Sequence, residues 1–393
     1  MNADRTAPAA RLATRGAQIA LYLATVTVYA DMYITQPILP LLSHEFSVAP
    51  STAGLTVSTV VLAIALVSSA YGPLGDTIGR KPVMVLSCAL LAAPTLLCGL
   101  APSFGLLLLF RALQGLLIPG VTAVAVAYIG DLFDAADVGS AVGSFIGATV
   151  AGGLIGRVVS GLIADLFQWR AAFMFFAACT LIGAAGMALM LPRQASHRRT
   201  GWVSAYRGMF AHFRDRRLVG AFIIGGALFF AFIGVFTYLP YYLTGAPFHL
   251  TTGPISSVYV VYLAGVIVAP LAGRLSARVS RRAIMGAGLL IACLGVAGTL
   301  LAWLPLIVVS LVVLCAGMFT AQSTAPAFVN ATARTAKGGA NALYLAFYYV
   351  GATIGSALPG YAWQAWGWGG VVATCEAALV VALLADWLLC AER

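Results

Sequence analysis

The chain has 393 residues, of which 61% are hydrophobic and only 9% are charged. A soluble domain has about 25% charged residues, so this composition excludes an ordinary globular protein in water. The net charge of +10 would suit a nucleic-acid partner, but its distribution along the chain argues against one. Apolar runs of about 20 residues, the length of a membrane-crossing helix, follow one another along the chain, and their continuity disfavours a β-barrel.

Glycine, proline and charged residues divide these runs into twelve predicted transmembrane helices. The first run follows a basic flank, and a signal peptide is the alternative interpretation. Because the apolar segment continues to Leu42 without a convincing cleavage site, we interpret it as the first span. The predicted spans are 17–42, 52–75, 82–101, 104–129, 138–165, 170–191, 218–243, 254–277, 283–303, 305–329, 338–362 and 368–390.

The positions of Lys and Arg predict the orientation, because cytoplasmic loops of membrane proteins carry an excess of both. Of the 22 basic residues, 19 lie at the two termini or in even-numbered loops and their edges. We therefore expect a multi-pass protein of the cell (inner) membrane with both termini in the cytoplasm. The polar stretch 193–217 is then a cytoplasmic linker between an N-terminal half, 1–192, and a C-terminal half, 218–393.

Two pairs of segments indicate that the halves are related. The segment "GGLIGRVVSGLIADLFQW" (152–169) aligns with "GATIGSALPGYAWQAWGW" (351–368) at a shift of 199, and "GPLGDTIGRK" (72–81) aligns with "GRLSARVSRR" (273–282) at a shift of 201. Both shifts are close to half the chain length. Six spans followed by six in the same orientation form a parallel repeat, an arrangement that transporters use.

The loop "GPLGDTIGRKP" resembles the signature loop between the second and third helices of the major facilitator superfamily. That resemblance implies an all-α membrane protein with twelve transmembrane helices in two pseudo-symmetric six-helix bundles. In the family this loop latches the cytoplasmic side in the outward-facing state; a loop that only sets topology is the alternative. We expect Gly75 and Gly79 to permit close backbone approach, Asp76 to bind a helix N-terminus, and Arg80 to reach an acidic residue. The expected latch comprises Gly72, Gly75, Asp76, Gly79, Arg80, Lys81 and Asp131, and the second copy has Ala277 in place of the aspartate.

The fourth and fifth spans carry further resemblances. "RALQG" resembles a pattern of proton-coupled exporters, in which the arginine is tied to proton coupling, and the fifth span is similar to the antiporter motif of drug exporters. Arg157 stands where that motif has proline, and Ser160 where it has glycine. Close helix packing alone explains small residues in a row, but it does not explain Arg157. The glycines that fit the motif are Gly143, Gly152, Gly156 and Gly161.

Three charged residues inside spans are predicted to share one depth. At 1.5 Å per helical residue, Asp31, Arg111 and Arg157 lie roughly 10–15 Å below the outer surface, on helices that the resemblance places around a central cavity. Because arginine does not release its proton in proteins, only Asp31 can carry one. We expect a proton-coupling network of these three residues; a structural ion pair with one snorkelling arginine is the alternative.

Aromatic and amide side chains concentrate in the spans that would line such a cavity, although many aromatics in a membrane protein face lipid or neighbouring helices. A broad amphipathic wall of this kind suits moderately apolar organic molecules. The candidate substrate-cavity residues are Tyr29, Gln36, Gln114, Phe236, Tyr238, Tyr259, Tyr262, Gln322, Asn341, Tyr344 and Tyr348.

These features predict a monomeric, proton-coupled secondary transporter that exports small organic compounds by alternating access. An importer or facilitator of a sugar or carboxylate is the alternative within the same family. An enzyme is disfavoured because the sequence has no catalytic triad, metal-ligand pattern or nucleotide-binding loop, and the seven cysteines fall in apolar runs without a CxxC pair. We expect no cofactor and no metal, and the expected partners are the substrate, protons and the bilayer.

Overall fold

The computed structural model of the chain describes residues 6–133, 137–192, 210–276, 278–333 and 337–391, with the side chains of 6–14 and 210 excepted. Within these ranges the chain forms helices and turns and no strand. The first half contains eight helices: α1 (Thr6–Tyr33), α2 (Leu39–Glu45), α3 (Pro50–Ile78), α4 (Arg80–Gly99), α5 (Phe104–Leu117), α6 (Pro119–Leu132), α7 (Val138–Leu166) and α8 (Trp169–Met190).

The second half begins with a short 3₁₀ helix, Phe210–Arg214, and continues with longer helices. A second 3₁₀ turn, Tyr259–Tyr262, lies between α10 and α11. The α-helices are α9 (Arg216–Thr244), α10 (Thr252–Val258), α11 (Leu263–Leu275), α12 (Arg281–Gly298), α13 (Leu304–Thr332) and α14 (Lys337–Leu389).

Ten of the described helical segments are long and apolar enough to cross a membrane, with α5–α6 and α10–α11 each counted as one. The predicted first span corresponds to α1. The 53-residue α14 contains a non-helical residue, Gly367 (φ 57°), so it covers both the eleventh and the twelfth predicted spans. The predicted division between the ninth and tenth spans is confirmed, because α12 ends at Gly298 and α13 begins at Leu304.

The first predicted span is too long. It was expected to run to Leu42, but α1 ends at Tyr33 and residues 34–38 form a turn before α2. The physical reason is Pro37, because a proline restricts the preceding residue, Gln36, to extended or turn conformations. The short helix α2 then has proline in its first turn, a position where the missing N–H costs nothing.

Contacts between Cα atoms divide the chain into two compact units. Unit 1 contains Met1–Thr35 and Leu66–Thr200, and unit 2 contains Gln36–Ala65 and Gly201–Arg393. The boundary in the first half therefore falls inside α3. The predicted linker lies mostly outside the described residues, and the predicted domain boundaries stay a prediction.

In unit 1, α7 packs closely on α1 through glycine. A Cβ atom added to Gly152 would lie 2.5 Å from the carbonyl oxygen of Val26, and one added to Gly156 would lie 2.5 Å from that of Ala30. Such approaches exclude any side chain, so the backbones of the two helices are in contact at these positions. Gly143 does not share this role, because its Cβ would meet no heavy atom of the described residues within 4 Å.

Unit 2 repeats this packing with α14 on α9. A Cβ atom on Gly351 would collide with the carbonyl oxygen of Gly226, and one on Gly355 with that of Phe230. The partner residues on α1 and α9 are 200 positions apart, close to the shift of 199 that relates the glycines. The duplication seen in the sequence is therefore also present in the helix contacts.

Candidate functional site

The guanidinium of Arg111 binds the end of α1. Arg111 lies on α5 with no exposed surface, and it donates from Nη1 to the carbonyl oxygen of Asp31 (2.8 Å) and from Nη2 to that of Met32 (2.7 Å). Carbonyls in the last turn of a helix lack partners within the helix, and a cation there also interacts favourably with the helix dipole. Arg111 therefore caps the C-terminus of α1, which gives this buried cation a structural role.

The carboxyl group of Asp31 has a different partner. Its Oδ2 accepts a hydrogen bond from the hydroxyl of Thr180 on α8 (2.8 Å), and Thr95 of α4 also lies beside it. Its Oδ1 is buried and accepts no hydrogen bond in the described part of the chain. Burying a carboxylate without a cation on its oxygens costs free energy, which marks Asp31 as a functional candidate.

Gln114 connects the arginine to α4. Its Oε1 accepts from Nη1 of Arg111 (2.7 Å), and its Nε2 donates to the hydroxyl of Thr95 (2.7 Å). The side chain is fully buried. Gln114 was predicted to line the substrate cavity, but these hydrogen bonds join it to the charged residues instead. We call this set the Asp31 cluster: Asp31, Thr95, Arg111, Gln114 and Thr180.

Arg157 contacts its own helix and an aromatic ring at the end of α1. Its Nη1 donates to the carbonyl oxygen of Gly153 on its own helix (2.6 Å), and its guanidinium lies 3.6 Å from the centre of the Tyr33 ring. A cation over an aromatic face is stabilised electrostatically, more so when it is desolvated. The Asp31 carboxyl forms no ion pair with Arg157 among the described residues. The structure thus brings Arg111 to the backbone of Asp31 and brings Arg157 to Tyr33.

The predicted latch residues do meet in unit 1. Arg80 pairs with Asp131, lies 3.2 Å from Oδ1 of Asp76, and donates to the carbonyl oxygen of Ala127 (2.7 Å). The pairing of Arg80 with Asp131 is the one that the sequence predicted. Asp76, four residues before Arg80 in the chain, also pairs with it. Whether this group latches a conformation stays a prediction.

Local geometry favours glycine at two positions of the latch loop and not at a third. Gly79 has φ 105°, a conformation that side chains disfavour, and a Cβ on Gly75 would lie 3.3 Å from Cγ1 of Val124. A Cβ on Gly72 would meet nothing within 4 Å, so close packing does not explain this residue. Lys81 donates to the carbonyl oxygen of Ala188 (2.8 Å) and to that of Leu191, and so binds the end of α8.

Aromatic residues in unit 2 form a continuous group across α9, the 3₁₀ turn, α13 and α14. Phe229 stacks on Tyr348 with ring centres 3.7 Å apart, and Gln322 donates to the Tyr348 hydroxyl (2.6 Å). The ring centres of Phe236 and Tyr262 are 4.7 Å apart. The hydroxyl of Tyr259 donates a hydrogen bond to the backbone carbonyl oxygen of Phe236 (2.8 Å). We call this group the aromatic wall: Phe229, Phe232, Phe236, Tyr259, Tyr262, Gln322 and Tyr348.

The interruption of the eighth span places two of these tyrosines. A short 3₁₀ stretch inside a longer helix changes the direction of successive side chains and is frequent at functional positions. Here the turn consists of Tyr259, Val260, Val261 and Tyr262, and both tyrosines are buried against α9. Sequence reasoning selected the tyrosines but gave no indication of the turn.

Other candidate cavity residues are used in helix packing. The hydroxyl of Tyr238 donates to the carbonyl oxygen of Ser356 (2.8 Å), and Gln36 donates to the hydroxyl of Thr237 (3.1 Å); both residues are fully buried. Asn341 donates to Asn330 (2.7 Å) at an exposed position. Tyr29 lies at the contact of α1 with Gly152.

Tyr344 has a side chain that could bind a polar group of a ligand. Its hydroxyl is buried and makes no hydrogen bond in the described part of the chain. Its ring lies 6.2 Å from that of Tyr348 in a stacked arrangement and packs against Gly225 of α9. A buried hydroxyl without a partner costs free energy that a bound polar group can recover.

This helical architecture, with its internal repeat and buried polar cluster, is that of a multi-pass membrane transporter. The family model described as Major Facilitator Superfamily matches residues 21–268 and 247–392. The chain belongs to this family, as the loop after the second span predicted.

Relatives support the same assignment. The chain is 36% identical over 370 residues to the inner membrane transport protein YnfM of Escherichia coli (strain K12), a match that covers 93% of this chain and 88% of that protein. It is 30% identical over 371 residues to YybF, an uncharacterized MFS-type transporter of Bacillus subtilis (strain 168), with 94% and 91% covered.

Two solved structures have the same fold. One is a bacterial homolog of the human lysosomal transporter Spinster, with a TM-score of 0.79, 16% identity, and 95% of this chain and 96% of that chain covered. The other is the nucleoside transporter NupG, with a TM-score of 0.81, 14% identity, and 95% and 99% covered. The predicted all-α fold of two pseudo-symmetric six-helix bundles is confirmed.

Proposed function

We propose that the protein is a proton-coupled secondary transporter that exports small organic compounds by alternating access. The observation that carries this proposal is the Asp31 carboxyl, which is fully buried and, within the described residues, has a hydrogen bond on one oxygen only. Loading a proton removes the cost of a buried charge, and exposure to water restores the charged form. A transporter that alternates the access of Asp31 to the two sides of the membrane therefore moves one proton at this residue in each cycle.

The surroundings of Asp31 connect its proton to the helices. Thr180 holds the carboxyl to α8, while Arg111 holds the adjacent backbone of α1 to α5. A change in the charge of Asp31 alters the first contact directly and leaves the second in place. In this proposal Arg111 keeps the end of α1 in position, and Asp31 with Thr180 responds to the proton.

Arg157 acts on the same helix end in this proposal. Its guanidinium stacks on Tyr33, two residues after Asp31 in the chain, and the contact joins α7 to the last turn of α1. Movement of α7 would shift Tyr33 and with it the surroundings of the carboxyl. Arg157 is thus a positioning residue for Asp31, rather than its ionic partner.

The aromatic wall supports a moderately apolar organic substrate. Stacked rings such as Phe229 and Tyr348, with a neighbouring amide in Gln322, offer apolar faces and hydrogen bonds to the same molecule. The alternative, import or facilitated passage of a sugar or carboxylate, is favoured by a different observation. The buried cation Arg157 would attract an anionic substrate.

Cellular placement belongs to the proposal as well. The name of the relative YnfM, an inner membrane transport protein, supports the inner membrane, and the pattern of basic loops supports cytoplasmic termini. We propose that the transporter works as a monomer, since each chain contains both halves of the repeat.

A transport assay with a defined gradient tests this proposal. Purified protein in proteoliposomes is given a panel of compounds that includes apolar aromatic cations, sugars and carboxylates, with and without an imposed pH gradient. We expect uptake of apolar organic compounds that depends on the gradient. Equal rates with and without the gradient would establish a facilitator instead, and uptake restricted to sugars or carboxylates would support the alternative substrate class.

A further inference from the structure

Basic residues without acidic partners in the described part of the chain lie at the end of α11, in the loop after it and at the start of α12. Arg274, Arg278 and Arg281 are exposed, and none of them forms an ion pair among the described residues. Arg282 differs, because it lies 3.6 Å from Oδ2 of Asp386 and donates to the carbonyl oxygen of the same residue (3.1 Å). The three remaining arginines form a patch of positive charge that no acidic side chain neutralises among the residues that the structure describes.

The first copy of this loop differs in one respect that matters. There Asp76 and Asp131 pair with Arg80. The second copy has Ala277 at the position of Asp76 in the sequence alignment, so the corresponding acid is absent. The second copy therefore keeps the basic residues of the latch but lacks the aspartate that the first copy has.

An apolar groove begins beside this patch. A cavity of about 320 Å³ lies between α11, α12 and α13, and its walls include Leu271, Leu275, Val279, Ile284 and Ile291. The polar residue in the lining is Thr320, whose hydroxyl already donates to the carbonyl oxygen of Ala316 (2.8 Å). The groove therefore offers contacts to a hydrocarbon and no free polar group.

The groove opens to the surface of the helices. Leu271 is 54% exposed, Leu275 is 49% exposed and Val279 is 41% exposed. Two of these residues are chain neighbours of the arginines, because Leu275 follows Arg274 and Val279 follows Arg278. The apolar lining thus ends where the positive patch begins. An apolar surface beside a cationic one complements an amphiphilic ligand with an anionic head group.

We propose that this groove and Arg274, Arg278 and Arg281 form a binding site for an anionic phospholipid. An acyl chain occupies the groove, and the phosphate-bearing head group lies against the arginines. Arginine binds phosphate oxygens through paired N–H donors, and basic clusters at the ends of transmembrane helices attract anionic lipids. A bilayer lipid fits both parts of the site, whereas a free anion fits the arginines alone and a neutral lipid fits the groove alone. The site does not depend on the direction or coupling of transport.

Native mass spectrometry of the full-length protein in detergent tests the site. The probes are a phosphatidylglycerol, a phosphatidylcholine with the same acyl chains, and inorganic phosphate. We expect the unmodified protein to retain phosphatidylglycerol at least about tenfold more strongly than phosphatidylcholine, because each basic residue near a lipid surface contributes several-fold to anionic-lipid binding. Inorganic phosphate should compete weakly.

Two variants separate the parts of the site. The preference for phosphatidylglycerol should be lost in the triple variant Arg274→Gln, Arg278→Gln, Arg281→Gln. It should be kept in a charge-matched control that changes three other exposed arginines: Arg15→Gln, Arg214→Gln, Arg216→Gln. Ala287→Trp places a large ring in the groove at an exposed position and should reduce retention of both lipids. An unchanged preference in the triple variant, unchanged lipid retention in Ala287→Trp, or equal competition by inorganic phosphate would overturn the proposal.

Discussion

Arg111 donates a hydrogen bond to the backbone carbonyl oxygen of Asp31 (2.8 Å), whereas the Asp31 carboxyl accepts its hydrogen bond from Thr180. This separation of roles is the main feature of the candidate site. Two intramembrane charges that the sequence predicts in one proton-coupling network meet through the end of a helix. The cation is held in place by carbonyl groups, and the carboxyl keeps the freedom to change its charge.

Arg111 should matter for stability. Arg111→Leu leaves the buried carbonyls of Asp31 and Met32 without this donor and removes one of the donors to the Gln114 amide oxygen. Unsatisfied buried polar groups cost roughly 1–3 kcal/mol each, so we expect a loss of several kcal/mol and a lower Tm in detergent. The exposed Arg15→Leu is the matched control and should leave Tm nearly unchanged. Equal Tm values for the two variants would show that the cap contributes little.

Thr180 should tune the pH dependence of transport. Its hydroxyl donates to Oδ2 of Asp31, a hydrogen bond that stabilises the charged carboxylate. Thr180→Val removes the donor at nearly constant volume, so the pH of half-maximal transport should move to a higher value. Thr180→Ser retains the donor and should keep the profile of the unmodified protein. Superimposable pH profiles for the valine and serine variants would show that the Thr180 hydroxyl does not influence the protonation step.

The Arg80–Asp131 pair should affect transport more than stability. Asp131 is half-exposed, with a relative side-chain exposure of 47%, and exposed ion pairs typically contribute about 0–1 kcal/mol. Asp131→Asn should therefore change Tm little, while a latch role predicts at least a threefold lower transport rate. The double variant Arg80→Gln, Asp131→Asn should be no slower than Arg80→Gln alone, because the partner is already lost. Full activity in Asp131→Asn would remove the latch role.

The glycines of α7 offer a paired test of helix packing. Gly156→Ala pushes a methyl group against the backbone of Ala30 and should lower the unfolding free energy by about 1–3 kcal/mol. Gly143→Ala adds the same methyl group where no atom lies within 4 Å, so it should be neutral or slightly stabilising. Thermal unfolding of both variants in the same detergent compares them directly. A larger loss for Gly143→Ala than for Gly156→Ala would contradict the packing seen here.

Much of the fold follows from the sequence because it depends on long-range patterns. The apolar runs, the two repeat alignments and the latch loop indicate the family without any knowledge of side-chain contacts. The pairing of Arg80 with Asp131 was also predicted, since both residues belong to the cytoplasmic latch that the resemblance implies. The end of α1 was missed, although Pro37 carried the signal.

The candidate site was harder to predict because depth along a helix does not fix rotation about its axis. Asp31, Arg111 and Arg157 were placed at one level, but Arg157 faces Tyr33. Thr180 and Thr95 went unnoticed, because a threonine in an apolar helix usually bonds its own backbone and leaves no pattern. A depth estimate applied to every polar residue, and not only to charged ones, was the signal available for finding them.

The most direct measurement of the central claim follows protons and substrate together. Proteoliposomes that contain a pH-sensitive dye and a substrate identified from the compound panel are prepared with the unmodified protein, with Asp31→Asn, and with Asp137→Asn as an exposed carboxyl control. We predict that substrate addition moves protons in the unmodified protein and in Asp137→Asn. Asp31→Asn should move none, while substrate exchange between its two sides continues. Substrate-dependent proton movement in Asp31→Asn at the rate of the unmodified protein would contradict the account.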